Sequence, residues 1–121
     1  MEEKVGKVVL DYEKYGGQDL YSDGDVEQDI LDIVSSNQDY NEAIAKDDRF
    51  AVLYHLSKDR QGVAQVMDIT KKDSVLEIGA GCGAITGAIA EKAGQVECIE
   101  LSKRRSLINA NRNKNMDNII I

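Results

Sequence analysis

Three glycines at alternate positions, Gly79, Gly81 and Gly83, stand between two short apolar runs, and they constrain this chain more than any other feature. The run before them, Val75-Leu76-Glu77-Ile78, has the length and branching of a buried parallel strand. After them, residues 84–93 place Ile85, Ala88, Ile89 and Ala93 at helical spacing, giving one apolar face. Gly94 is expected to end that helix in the left-handed conformation. A second apolar run, residues 96–99, finishes in Glu100. The pattern is strand, glycine turn, helix, strand: a βαβ unit with an acid at the tip of its second strand. A ligand is expected over the glycines.

Two cofactor classes use this layout. Gly79-Ala80-Gly81-Cys82-Gly83-Ala84 satisfies the dinucleotide fingerprint G-x-G-x-x-G/A, and with Glu77 it equally satisfies E-x-G-x-G-x-G. A dinucleotide would lay its pyrophosphate against the helix N-terminus, where amides and the dipole favour negative charge. Glu77 would then face a dianion, with no Lys or Arg in the loop to offset it. S-adenosylmethionine carries an ammonium and a sulfonium instead, so an acid near the turn attracts it, the more strongly as the site dries. Glu77 favours the second class. Glu100 fits both: it lies 21 positions after Gly79, close to the roughly 20 expected of an acid that grips ribose hydroxyls.

The run VLEIGAGCGAITGAIAEKAGQVECIEL resembles motif I and the following acidic loop of class I S-adenosylmethionine-dependent methyltransferases. It is most similar to bacterial methyltransferases associated with glycosyltransferases and to rRNA adenine dimethyltransferases, with Ala80 where the latter usually have proline. The resemblance implies a Rossmann-like, doubly wound α/β sheet and S-adenosyl-L-methionine as cofactor. It places Gly79, Ala80, Gly81 and Gly83 along the methionine part, Glu77 near the amino group, Glu100 on the ribose and Leu101 against the adenine. It also implies more strands than the chain supplies. The expectation is therefore an acidic accessory segment, residues 1–50, of a small hairpin plus helices, followed by the cofactor-binding part of a methyltransferase domain, residues 51–121. That part would break off after the start of the third strand, leaving the catalytic residues beyond Ile121 and the piece inactive alone. The truncated sheet edge would invite a second copy.

Charge bears on the acceptor. Residues 1–50 hold 14 acids against 5 bases, and residues 51–121 hold 8 against 10. An acidic front half argues against nucleic acid, which needs a basic face, and with the family likeness it favours a small molecule or saccharide. Lys103, Arg104, Arg105, Arg112 and Lys114 are expected on a solvated helix face. A noncatalytic nucleotide-binding module and a fragment of an RNA adenine methyltransferase are the alternatives. The first ten residues lack a signal peptide's basic flank and apolar core, and no stretch has the length of a membrane span. Cys82 and Cys98 have no metal-ligand spacing with the single histidine, His55. They are expected as reduced, buried thiols of a cytoplasmic protein.

Along the rest of the chain, residues 5–15 alternate loosely as a strand, with Gly16-Gly17 as its turn and residues 18–21 returning. Ser22 is expected to cap a helix whose stripe is Val26, Ile30, Leu31, Ile33 and Val34, with Glu27, Asp29 and Asp32 facing out. The segment DLYSDG resembles one that recurs in the glycosyltransferase-associated methyltransferases; read locally, it is a helix-capping turn. Residues 39–46 read as a short helix, 50–56 as extended and 63–69 as helical, with His55 a loop or core histidine. Ser102 caps a further helix reaching about Lys114, and residues 119–121 begin a third sheet strand.

Overall fold

In a computed structural model describing residues 1–121, five strands form one sheet in the order β1-β2-β5-β4-β3. The strands β3 (Ser74–Ile78), β4 (Gln95–Ile99) and β5 (Ile119–Ile120) run parallel, joined by helices α5 (Thr86–Lys92) and α6 (Lys103–Arg112). Two right-handed crossovers stepping in the same direction along a sheet place their helices on the same face. On that face Val96, Cys98 and Ile119 are buried with Ile89, Ala90 and Ala110. Residues that alternate to the other face stay open to solvent: Leu76 is 55% exposed and Ile78 76%. The fold is the expected Rossmann-like α/β arrangement.

The N-terminal hairpin forms elsewhere than its alternation suggests. Strands β1 (Glu2–Val5) and β2 (Val8–Asp11) pair antiparallel around Gly6-Lys7, and Gly16-Gly17 follow the hairpin instead of turning it. Gly6 has φ +60°, as the first central position of a two-residue II′ turn requires. A Cβ there would also lie 2.2 Å from the Lys114 carbonyl oxygen, which accepts the Lys7 amide at 2.7 Å. Val8 and Leu10 are thereby fully buried, and β2 pairs parallel with β5. The C-terminal strand is therefore not an edge. The parallel strand with a free side is β3, where the sheet order ends.

A second core lies between helices. α1 (Val26–Ser35) buries Ile30 and Val34, and α3 (Phe50–Leu56) buries Val52 and Leu56, against Ile108 and Cys82. The extended conformation expected for residues 50–56 is thus a helix, because Val52 and Leu56 share its buried face at a spacing of four. α2 (Tyr40–Lys46) starts as expected, the Asp39 side chain accepting the Glu42 amide at 3.0 Å. A 3-10 turn at Asp59–Gln61 and the four-residue α4 (Gly62–Gln65) stand where a helix through residue 69 was expected. Gly94 is not left-handed: α5 closes on an extended Ala93, and Gly94 allows the Lys71 carbonyl to come within 2.4 Å of where a Cβ would be. No helix is long and apolar enough to cross a membrane.

Candidate functional site

The glycine turn is laced to the tip of β4. Gly79, Gly81 and Gly83 have φ of +73°, +57° and +78°, a left-handed series that side chains would resist. Three successive amides of the turn reach the neighbouring strand end. Those of Gly79 and Ala80 donate to the Ile99 carbonyl (2.8 and 3.3 Å), and that of Gly81 to Glu100 Oε2 (2.8 Å). An added Cβ would meet nothing within 4 Å at Gly79 or Gly81, so open space lies over both. Gly83 differs: its Cβ would sit 2.4 Å from the Asn109 side chain. Two glycines leave room for a ligand, and the third lets α6 pack against the turn.

The two acids are placed differently. Glu77 turns into the helical layer, where its Oε2 accepts from the Thr86 hydroxyl at 2.6 Å and faces Cys98 Sγ at 3.6 Å. Burial raises its carboxyl above the ordinary value, and the bonds from Thr86 and Cys98 offset part of the shift. A buried relay continues from Asn109 Nδ2 to Thr86 Oγ1 (2.9 Å) and from Asn113 Nδ2 to Asn109 Oδ1 (2.8 Å). Such a network fixes its members because each unpaired group would cost desolvation energy. Glu77 thus anchors the base of the turn. Glu100 bridges the top: Oε2 holds Gly81, and Oε1 accepts the Ser102 amide at 2.9 Å. Leu101 is half exposed beside it. A cavity of about 340 Å³ adjoins Glu100 and Leu101, walled by Tyr12, Tyr15, Ile99 and Lys103.

Both thiols are free and buried, and burial pushes each up to about 12, which leaves them protonated and inert.

Two of the basic residues after Glu100, Arg105 and Arg112, do not lie on a solvated face. Arg105 Nε reaches Glu27 Oε1 at 3.1 Å, and Glu27 is fully buried instead of facing out. The helix geometry explains this, since Glu27 lies three positions before Ile30 on the face packed against α6. Its other oxygen accepts the Asp23 amide at 2.9 Å, while Ser22 Oγ, the expected cap, accepts from Gly24. His55 is a core histidine, 5% exposed, with Nε2 2.6 Å from Asp23 Oδ2. Arg112 Nη1 bonds the carbonyls of His55 and Cys82, tying α6 to α3 and to the glycine turn. The acids of the DLYSDG segment and of α1 were the visible signal for these contacts. Their partners, 32 positions away for Asp23 and His55 and 78 for Glu27 and Arg105, were not.

The profile of a family described as ribosomal RNA adenine dimethylase matches residues 55–119, which span the glycine turn, both acids and more than half of the chain. Over 61 residues the chain is 36% identical to ribosomal RNA small subunit methyltransferase A of Streptococcus sanguinis, covering 50% of this chain and 21% of that protein. A Haemonchus contortus phosphoethanolamine N-methyltransferase 1, solved with phosphoethanolamine and S-adenosylhomocysteine, aligns with a TM-score of 0.50 and 26% identity over 79% of this chain and 20% of its own. The chain spans about a fifth of the length of each of these relatives. On the matched residues, the chain belongs to the ribosomal RNA adenine dimethylase family.

Proposed function

We propose that this chain binds S-adenosylmethionine across the carboxyl ends of β3 and β4 and serves as the cofactor-holding part of a methyltransferase. The observation that carries the reading is the pairing of open glycine backbone at Gly79 and Gly81 with the Glu100 carboxylate, bonded to the Gly81 amide at 2.8 Å. Gly79, Ala80 and Gly81 would lie along the methionine part, with Gly83 and Glu77 holding the turn from behind. Glu100 would accept the ribose hydroxyls with the lone pairs its two amide bonds leave free, and Leu101 would cover the adenine. Bound S-adenosylmethionine supplies a methyl group on a sulfonium centre. The chain's part is to position it, which is most of what an in-line displacement needs.

The charge of the site supports this ligand over a dinucleotide. Residues 77–84 hold one acid and no base, and a second acid closes the turn. A sulfonium and an ammonium are attracted there, and a pyrophosphate is repelled. For the acceptor, the acidic first fifty residues support a small molecule or saccharide. The family match favours a second reading, an RNA adenine. The Haemonchus protein is by name an N-methyltransferase, and adenine carries an exocyclic amine, so an amine acceptor is supported in either case.

Calorimetric titration of the full chain with S-adenosylhomocysteine and with NAD tests the cofactor. The expected outcome is saturable binding of S-adenosylhomocysteine and weaker or absent binding of NAD. Tighter binding of NAD would overturn the reading.

A further inference from the structure

The four amides that open α6 all have acceptors, and two of these come from far away in the chain. Ser102 donates to Glu100 Oε1 (2.9 Å) and Arg105 to Ser102 Oγ (3.2 Å), both local. Lys103 donates to Asp19 Oδ1 (2.7 Å) and Arg104 to Asp19 Oδ2 (3.2 Å), across 84 and 85 positions. The Tyr15 hydroxyl adds a bond to Asp19 Oδ1 at 3.1 Å. Burial works against the Asp19 charge, yet the two amides and Tyr15 outweigh it and hold the carboxyl below its ordinary value. Four residues later Asp23 makes a second tether, to His55 at 2.6 Å and Arg105 at 3.5 Å. The segment between β2 and α1 is thus strapped across the first turn of α6, directly after Glu100.

We propose that Asp19 is a positioning residue for Glu100 and through it sets discrimination for the ribose hydroxyls; this rests on the S-adenosylmethionine reading above. A helix N-terminus attracts the nearest carboxylate. Two carboxylates lie at this one, on consecutive amides: Glu100 on Ser102 and Asp19 on Lys103. Because Asp19 takes the Lys103 and Arg104 amides, Glu100 keeps one oxygen on Ser102 and the other on Gly81, between the helix end and the open glycines. Without Asp19, two amide donors, those of Lys103 and Arg104, lose their charged acceptor within a few residues of Glu100. Its carboxylate then moves onto the helix end to satisfy them, leaving Gly81 and the ribose position. The DLYSDG segment caps the Lys103 and Arg104 amides, which leaves Glu100 only that of Ser102 at the helix end.

The test compares S-adenosylhomocysteine with its 2′-deoxy analogue on the full chain by calorimetry. The parent is expected to prefer the hydroxylated ligand by about tenfold or more, the worth of a bond to a charged acceptor. In Asp19→Ala the preference should collapse to about threefold or less. The preference for S-adenosylhomocysteine over 5′-methylthioadenosine, which reports the methionine end, should remain at the parental ratio. Asp19→Asn keeps one oxygen for the Lys103 amide and should fall between; it carries the comparison alone if Asp19→Ala does not fold. A folded variant that keeps the parental 2′-hydroxyl preference overturns the role of Asp19 and leaves the cofactor reading standing. A parent chain that binds no S-adenosylhomocysteine overturns the cofactor reading and this role with it.

Discussion

Glu100 and Gly81 close the site: the carboxylate of one holds the amide of the other at 2.8 Å, joining the β4 tip to the middle of the glycine turn. Both Glu100 oxygens accept from backbone amides. Glu100→Gln therefore sets an NH2 group against one donor, and the unliganded protein should lose roughly 1–3 kcal/mol. Affinity for S-adenosylhomocysteine should fall about 10- to 150-fold. Glu91, exposed on α5 and outside the cavity that adjoins Glu100, is the control. Glu91→Gln should change neither stability nor binding free energy by more than about 0.5 kcal/mol. Thermal melts and titrations of both variants check this pair of outcomes.

Gly81 and Gly83 should separate ligand access from packing. Gly81→Ala puts a methyl into open space at φ +57° and should cost about 1–2 kcal/mol of stability while obstructing the ligand. Gly83→Ala drives a methyl into Asn109, which is fully buried and bonded to Thr86 and Asn113. Strain and overpacking add there, and a loss of roughly 2–5 kcal/mol is expected. The order of the two melting temperatures is the readout, and Gly81→Ala melting below Gly83→Ala would refute the division of labour.

Glu77 predicts a pH signature. Its folded carboxyl lies above the ordinary 4.5, so the folded state binds the proton more tightly than the unfolded one. Stability from this group is then present below about pH 4.5 and lost as pH rises through the raised value. Glu77→Gln keeps an oxygen for Thr86 and has no such loss. The variant's melting temperature relative to the parent should rise between about pH 4 and pH 7, while ligand affinity at neutral pH falls. A difference that stays constant across that range would show that burial of Glu77 carries no penalty.

The pair Glu27–Arg105 should matter for stability more than exposed ion pairs do. Removing one partner of a buried pair typically costs about 3–5 kcal/mol, because it strands the other charge. Glu27→Ala also frees the Asp23 amide, so a loss at or above about 3 kcal/mol is expected. A double-mutant cycle with Arg105→Ala should return a coupling above about 0.5 kcal/mol. Additive losses would mean that the two side chains act independently.

The βαβ unit was legible because its signals are local. Strand runs, alternate glycines and the acid after β4 all fall within residues 74–101, and each element formed there. Ser102 capping α6 was equally local, with Oγ accepting the Arg105 amide. What sequence order hid were contacts across the chain. Glu27 and Arg105 read as surface charges because the partner that lets each be buried lies 78 positions away. The hairpin was misplaced because Gly16-Gly17 is the stronger turn signal by composition, whereas Gly6 won by closing against Lys114. Gly83 carried the same letter as its two neighbours in the motif; only Asn109 behind it shows that it serves packing.

Backbone amide chemical shifts followed during a titration with S-adenosylhomocysteine report where on the chain the ligand sits. The largest changes are expected on Gly79, Ala80, Gly81 and on residues 100–104, the amides around the turn and the β4 tip, with residues of α2 and α3 far from the turn little changed. Saturable binding whose largest changes fall on α2 or α3, with the glycine turn and Glu100 unmoved, would contradict this placement.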